Sequence, residues 1–305
     1  MYRVLVLLST YNGEKYLSDQ ISSILSQNGV NISVIVRDDG SSDRTKEILK
    51  DFEYNNSNIH VSWGENLGFI RSFTELIGMA EKAQTYDYYA FSDQDDIWYP
   101  QKLLVACEQL SELPNDLPCL FSSNSQYVDE NLNPLGLFHP SEPYRTRQNV
   151  MLYSTEQGCS MVFNRKAIEF YKAHPPVMTC HDRWMCLICN CFGEMKYCQT
   201  PLFYYRIHGG NALGKVNKTL WQRILGDLEL LVKFQESKNL SMVKEFYYTW
   251  KMSIDLNMRE CFETYIYYPK SLKNKFKLLF TPEYQHTLSL WDRVRKAALV
   301  LCNRL

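Results

Sequence analysis

No apolar run in this 305-residue chain approaches the roughly 18 residues that a bilayer-spanning helix requires. Met1 leads directly into residues 3–8, an apolar stretch too short for the core of a secretory leader. Ten cysteines are present, but the paired spacing of structural zinc sites is absent among Cys186, Cys189, Cys191 and Cys198. The expectation is a cytoplasmic protein whose thiols stay reduced and act as small apolar residues. There is no excess of positive charge either: the net charge is −1, which argues against a general nucleic-acid binder. Hydrophobic residues at 45% and charged residues at 22% leave room for a folded core and exclude wholesale disorder.

What charge there is lies unevenly. Residues 270–305 hold eight Lys/Arg against Glu283 and Asp292, a net of +6, so the first 269 carry −7. A mildly acidic body with a basic end predicts a local anionic contact near the C-terminus.

Residues 4–9 form an almost continuous apolar run, the pattern of a strand buried on both faces of a parallel sheet. Thr10-Tyr11-Asn12-Gly13 breaks it, and Glu14 opens a helix with Leu17, Ile21, Ile24 and Leu25 on one face. A second strand over 32–36 ends in Arg37-Asp38-Asp39-Gly40-Ser41-Ser42-Asp43, and a third covers 59–63. After a helix through Phe73, Ile77 and Ala80, Tyr88-Tyr89-Ala90-Phe91 predicts a fourth strand. Strands alternating with helices of this length mean an α/β protein, a Rossmann-like and mostly parallel sheet flanked by helices. Further on, residues 119–123, 158–163 and 204–208 read as strands. Residues 134–148, with three prolines and little periodicity, read as a loop over the site.

The fourth strand runs into Ser92-Asp93-Gln94-Asp95-Asp96-Ile97-Trp98, and Tyr99-Pro100 starts the next helix. In isolation this acidic run is as well explained by a solvated turn capping that helix. Its position argues otherwise. Thr10/Tyr11, Asp38/Asp39 and Asp93/Asp95/Asp96 all fall at carboxyl ends of strands, where ligands bind in such sheets. Three clustered carboxylates repel one another unless a hard cation neutralises them, and oxygen ligands suit Mg²⁺ or Mn²⁺.

Three stretches, Val6-Leu7-Leu8-Ser9-Thr10-Tyr11-Asn12, Asp38-Asp39-Gly40-Ser41 and Asp93-Gln94-Asp95-Asp96, resemble in this order the N-terminal signatures of family 2 inverting glycosyltransferases. With Tyr205-Arg206-Ile207-His208-Gly209-Gly210-Asn211, the chain is similar over residues 2–212 to bacterial rhamnosyltransferase-like members. The resemblance implies an A-type glycosyltransferase fold over 1–214, followed by a helical region over 215–305. It implies a nucleotide-sugar donor, dTDP-rhamnose first and a UDP-hexose next, and a lipid-linked or surface-polysaccharide glycan acceptor of the O-antigen or capsule kind. Tyr11 would then stack on the base, with Thr10, Asp38 and Asp39 bonding base and ribose. Asp93 and Asp95 would hold the metal at the diphosphate, with Asp93 also a nucleotide contact. Asp96 would support them or touch the donor sugar, and Arg71 is a further nucleotide candidate.

Asp182, in the first turn of a helix, has the plain reading of a dipole partner; the resemblance makes it the catalytic base. There His181-Asp182 replaces the usual Glu-Asp pair, which leaves the role of His181 open. His208 reads as a surface histidine, whereas the resemblance brings a His or Arg there to the donor diphosphate, adding His208 to the metal candidates.

From Lys218 the pattern is helical, with Leu220, Ile224, Leu228 and Leu231 at helical spacing, then an aromatic-rich helix around residues 247–267. The last part sets Lys270, Lys273, Lys275 and Lys277 beside Phe276, Leu278, Leu279 and Phe280, and Trp291, Arg293, Arg295 and Lys296 beside Val294, Leu299, Val300 and Leu301. Basic amphipathic helices with tryptophan suit the inner face of a membrane; packing on the catalytic domain is the plain alternative. Of the other functions, a nucleotidyltransferase wants a basic, glycine-rich loop after the first strand, which Thr10-Tyr11-Asn12-Gly13-Glu14 is not. A non-catalytic glycan-binding scaffold has no use for Asp93, Asp95 and Asp182 together.

Overall fold

The computed structural model describes residues 1–143, 145–152, 156–171, 180–209, 238–284 and 290–303. They form two compact units, the first from residues 1–141, 156–171 and 180–208, the second from the remainder.

The first unit begins as the apolar runs predict: β1 (Tyr2–Thr10), α1 (Leu17–Leu25), β2 (Val30–Asp38), α2 (Thr45–Asn55), β3 (Ile59–Trp63), α3 (Phe69–Lys82) and β4 (Tyr88–Ser92). Then come β5 (Ile97–Trp98), α4 (Lys102–Ser111), β6 (Cys119–Val128) and β7 (Pro134–Leu137). A short helix, α5 (Arg147–Leu152), belongs to the second unit; β8 (Val162–Asn164), α6 (Arg165–Tyr171), α7 (His181–Phe192) and β9 (Glu194–Arg206) complete the first.

Among the described residues the sheet has nine strands in the order β3-β2-β1-β4-β8-β6-β9-β5, with β7 beside β6. Strands β1 to β4 are parallel to one another. Beyond β4 the sheet is mixed, since β8 runs antiparallel to β4 and β6 while β6 and β9 are parallel. Residues 134–137, expected within an irregular loop, pair instead with β6, and 158–160 form a 3₁₀ turn where a strand was expected.

The central strand is apolar on both faces because successive side chains point to opposite sides and both sides are covered. Val4, Val6 and Leu8 join a core with Leu17, Ile21 and Ile24 of α1 and Leu103 and Ala106 of α4. Leu5 and Leu7 are equally buried on the other face, where α3 packs on β1. Register then sets the site: Thr10 pairs with Asp38 and Leu8 with Ser92, so β1, β2 and β4 end at one edge.

In the second unit, α8 (Lys238–Trp250), α9 (Leu256–Tyr267), α10 (Leu272–Phe280) and α11 (Leu290–Leu301) follow α5. The aromatic-rich stretch is two helices, because Asp255 caps the second by accepting from the Met258 N–H at 2.8 Å. Phe246 and Tyr247 of α8 stack on Phe262 of α9, and Arg147 pairs with Asp255 at 2.9 Å. The expected helix through Leu220, Ile224, Leu228 and Leu231 lies outside the described residues, as do the side chains of Trp291 and Arg295.

Gly193 carries the turn from α7 into β9. A Cβ there would lie 1.7 Å from the Pro118 carbonyl oxygen, which itself accepts from the Glu194 N–H at 3.1 Å. Backbone cannot yield as a flexible side chain does, so Gly193→Ala should destabilise the protein by about 3 kcal/mol. Urea unfolding checks this; an unchanged midpoint would mean that the 118–119 backbone shifts freely.

Candidate active site

The loops that leave β1 and β2 are buttoned together by their own polar residues. Asn12, at φ 49°, donates its N–H to Ser41 Oγ at 2.9 Å and accepts from the Ser42 N–H at 2.9 Å. The Gly13 N–H donates to Thr45 Oγ1 at 2.8 Å, and the Asp39 N–H to the Thr10 carbonyl at 2.8 Å. Gln94, in the acidic loop, ties the third member to the first. Its Oε1 accepts from the Thr10 hydroxyl at 2.6 Å and the Tyr11 N–H at 2.8 Å, and its Nε2 donates to the Tyr11 carbonyl at 3.2 Å. Gly13 makes room for this, since a Cβ would meet Gln94 Oε1 at 2.6 Å. Thr10 is buried by these contacts, whereas the Tyr11 side chain is left largely out, 45% exposed.

Asp38 and Asp39 differ in what they can still do. Asp38 is fully buried; Oδ2 accepts from the Ser41 N–H at 3.1 Å and Oδ1 has no partner. Asp39 has both oxygens engaged, by the Leu67 N–H at 2.9 Å, the Gly68 N–H at 2.8 Å and an ion pair with Arg37. Asp39 thus holds the 64–68 loop against β2, a role the sequence reading did not include. Arg71 is exposed on the first turn of α3.

The acidic loop after β4 concentrates charge where water is scarce. Asp96 is fully buried beside the Cys159 thiol; its Oδ1 accepts from the Arg206 N–H at 3.4 Å, and its Oδ2 has no partner. That burial places Asp96 beneath the half-buried Asp93 and Asp95. Asp95 faces His208, with Oδ2 2.8 Å from Nε2, and the His208 ring lies against Tyr16 at 4.8 Å. Arg206 braces the loop from beneath, donating from Nε to the Asp95 carbonyl at 3.1 Å and pairing with Asp19 at 3.2 Å. Ligand-capable atoms of Asp93, Asp96 and Cys159 lie within 4.8 Å of one another.

A buried cation stands near them: Lys102 Nζ donates to the Cys159 carbonyl at 2.6 Å and lies 3.4 Å from the Trp98 ring centre. One ammonium does not offset the cluster. Burial, then the charges of Asp95 and Asp182, push the Asp93 carboxyl up to about 7. Burial, then Asp95 and Asp93, hold Asp96 well above the carboxylate range. Burial lowers Lys102 to about 7. The set of hard oxygen donors and an orphaned carboxylate oxygen fits a divalent cation such as Mg²⁺ or Mn²⁺. Burial also holds the Cys159 thiol protonated, leaving the carboxylates and His208 as its ligand candidates.

Asp182 opens α7 and its charge reaches Asp93, so the two carboxylates share one neighbourhood. Gly158 keeps that neighbourhood open, as a Cβ would lie 3.3 Å from Asp182 Oδ2 and 3.1 Å from His181 Nε2. A ring nitrogen of His181 lies in that same neighbourhood, within 4.8 Å of an Asp182 carboxylate oxygen and of the Cys180 sulfur. Its ring stacks on Phe73 at 3.8 Å and meets Phe91 edge-on at 4.9 Å, and neither ring nitrogen has a partner. Burial lowers it to about 4, so it is a neutral aromatic wedge that seats the start of α7.

Three of these residues escaped the sequence reading. Gln94 stood inside a motif noted only for its carboxylates. Lys102 had a signal, since it occupies the i position of the buried Ala106 and Leu110 stripe where a lysine is out of place. Cys159 carried none.

A carboxyl whose native pKa lies above its unfolded one contributes stability at low pH that is lost as pH rises between the two. For Asp93 that interval ends at about 7. The metal-free protein should lose this contribution as pH rises to neutrality, and Mn²⁺ should raise Tm more at about pH 8 than at about pH 6. Thermal scans at both pH values check it; equal shifts would mean that Asp93 exchanges no proton for the cation.

The glycosyl transferase family 2 profile matches residues 5–171. Over 177 residues, 54% of this chain and 56% of the relative, the chain is 30% identical to the dTDP-rhamnosyl transferase RfbG of Shigella flexneri. It is 29% identical over 161 residues, 53% of the chain and 59% of the relative, to the Escherichia coli UDP-Glc:alpha-D-GlcNAc-diphosphoundecaprenol beta-1,3-glucosyltransferase WfgD. The chain thus spans little more than half the length of these two curated relatives. The fold matches the crystal structure of Staphylococcus aureus TarS 1–349 in complex with UDP-GlcNAc, with a TM-score of 0.57 at 15% identity, covering 98% of this chain and 89% of that one. The parallel β1–β4 block, the helix-flanked mixed sheet and these matches agree, and the chain belongs to glycosyl transferase family 2.

Proposed function

We propose that this chain is an inverting glycosyltransferase that moves a sugar from a nucleotide-diphosphate donor to a glycan acceptor. The observation that carries the reading is the under-neutralised carboxylate cluster at the end of β4, facing Asp182 at the edge where β1, β2 and β4 all finish.

The exposed ring of Tyr11 offers a stacking surface for the base, and Thr10 and the unpartnered oxygen of Asp38 offer polar contacts to base and ribose. Asp39 acts one step back, holding the 64–68 loop, and the exposed Arg71 is available to the nucleotide. Asp93 and Asp95, with His208 oriented on Asp95, would hold Mg²⁺ or Mn²⁺, which supplies Lewis-acid neutralisation of the departing diphosphate. Asp96 and Lys102 set the charge beneath that site. Asp182 accepts the proton of the acceptor hydroxyl as the oxygen attacks the anomeric carbon opposite the leaving group. A single displacement of this kind inverts the anomeric configuration.

The donor we favour is dTDP-rhamnose, supported by the likeness to RfbG, with a UDP-hexose next. The acceptor we favour is a lipid-linked glycan in surface-polysaccharide synthesis, supported by the diphosphoundecaprenol in the name of WfgD. The chain would then work at the inner face of the cell membrane, held peripherally through its basic C-terminal helices. Among the described residues no helix is long and apolar enough to cross a membrane.

A donor hydrolysis and binding screen with Mn²⁺ against dTDP-rhamnose, UDP-glucose, UDP-galactose and UDP-N-acetylglucosamine tests the reading, with Asp95→Ala as the control that should lose metal-dependent binding. Asp182→Asn should keep donor binding and lower turnover by about 10²–10⁴. Unchanged turnover would remove Asp182 from the mechanism, and no binding of any donor would overturn the reading itself.

A further inference from the structure

Helix α10 is amphipathic in the opposite sense from a core helix. At about 100° per residue, Leu272, Phe276 and Phe280 fall within an arc of about 80°. All three point outward, at 80%, 68% and 68% exposure, while Leu278 on the far side is the one fully buried residue of the helix. The two rings touch, with centroids 5.0 Å apart, so the face is a continuous apolar ridge and not scattered single residues. Lys273 and Lys277 border the ridge on one side and Lys275 on the other. The ridge also lines an open groove of about 660 Å³ whose wall continues through Pro282.

In the neighbouring helix α11 the described side chains are divided, with Val294 and Leu301 exposed. There Lys296 is buried, donating from Nζ to the Tyr284 carbonyl at 2.7 Å, and Val300 is buried too. Among the described side chains of these two helices, the outward pair of touching rings is that of α10.

We propose that α10 is a membrane-docking element, with Leu272, Phe276 and Phe280 entering the interface of an anionic bilayer and the flanking lysines meeting its headgroups. Charge complementarity selects this occupant: lysines on both borders of the ridge, within a segment of net +6, repel a second copy of the same face and attract an anionic surface. Of the bordering lysines, Lys277 also pairs with Glu260 and Lys275 Nζ donates to the Leu301 carbonyl at 3.2 Å, while Glu283 is an exposed acidic residue next to Pro282. The inference rests on the membrane-surface reading above and names the element that performs it.

The test is sedimentation of the full chain with vesicles of phosphatidylcholine alone or mixed with phosphatidylglycerol. The wild type should bind the mixed vesicles, and added salt should weaken the binding. Phe276→Ser/Phe280→Ser should reduce partitioning by about tenfold or more, and Lys273→Glu/Lys275→Glu by about tenfold, with donor hydrolysis in solution unchanged in both. Equal partitioning of the serine variant and the wild type would overturn α10 as the element while leaving the membrane reading intact. Failure of the wild type to bind either vesicle would overturn both, without touching the glycosyltransferase reading, which the hydrolysis assay judges separately. A wild-type dimer that the serine substitutions convert to monomer would mean that a second copy covers the ridge, and would likewise overturn the proposal.

Discussion

Negative charge in a poorly solvated place is the constraint to which the rest of the site answers. Asp93, Asp95 and Asp96 leave the end of a central strand whose neighbours exclude water, and Asp182 adds its charge from the first turn of α7. A protein could relieve this with a ring of arginines. Here the described positive partners are a single lysine pressed against Trp98 and Cys159, a histidine on Asp95, and the guanidinium of Arg206, which bonds the backbone of the loop. The imbalance remains, and a hard divalent cation is the simplest species to correct it.

Around that cluster the structure is rigid by hydrogen bonding more than by packing. Gln94 joins the acidic loop to Thr10 and Tyr11, while Asn12 and Gly13 join the β1 loop to Ser41, Ser42 and Thr45. Asp39 does the same for the 64–68 loop through two backbone N–H groups and Arg37. Together they form one polar platform in which Tyr11 remains exposed and Asp38 keeps one oxygen unpaired. A surface that binds a nucleotide needs this combination of fixed backbone and uncommitted groups.

His181 and Asp182 show how adjacent residues divide work at a helix start. The imidazole has been moved into an aromatic cluster of Phe73 and Phe91 and stays neutral, so it contributes shape. The carboxylate, one residue on, lies beside a nitrogen of that ring and contributes charge that reaches Asp93. The ring of His181 packs against Phe73 and Phe91 while a ring nitrogen lies within 4.8 Å of the Asp182 carboxylate. Asp39, whose motif suggests ligand contact, also has partners within the chain that tie the 64–68 loop to β2.

The order and class of the first elements were determined by the sequence itself. Apolar runs bounded by polar turns leave few arrangements for residues 2–92, and parallel strands with right-handed crossovers put Thr10, Asp38 and Asp93 at one edge. The acidic chemistry of that edge was equally legible, because carboxylates at strand ends have no apolar alternative. Tertiary structure alone decided which of them stay available. Asp38 and Asp39 are adjacent and chemically identical, yet partners 28 and 29 residues further on take up both oxygens of one and leave the other half free. It also decided that Lys102 lies buried beside the acidic loop and that Leu272, Phe276 and Phe280 face outward. Hydrophobic periodicity tells which side chains share a face; what covers that face depends on elements distant in the chain.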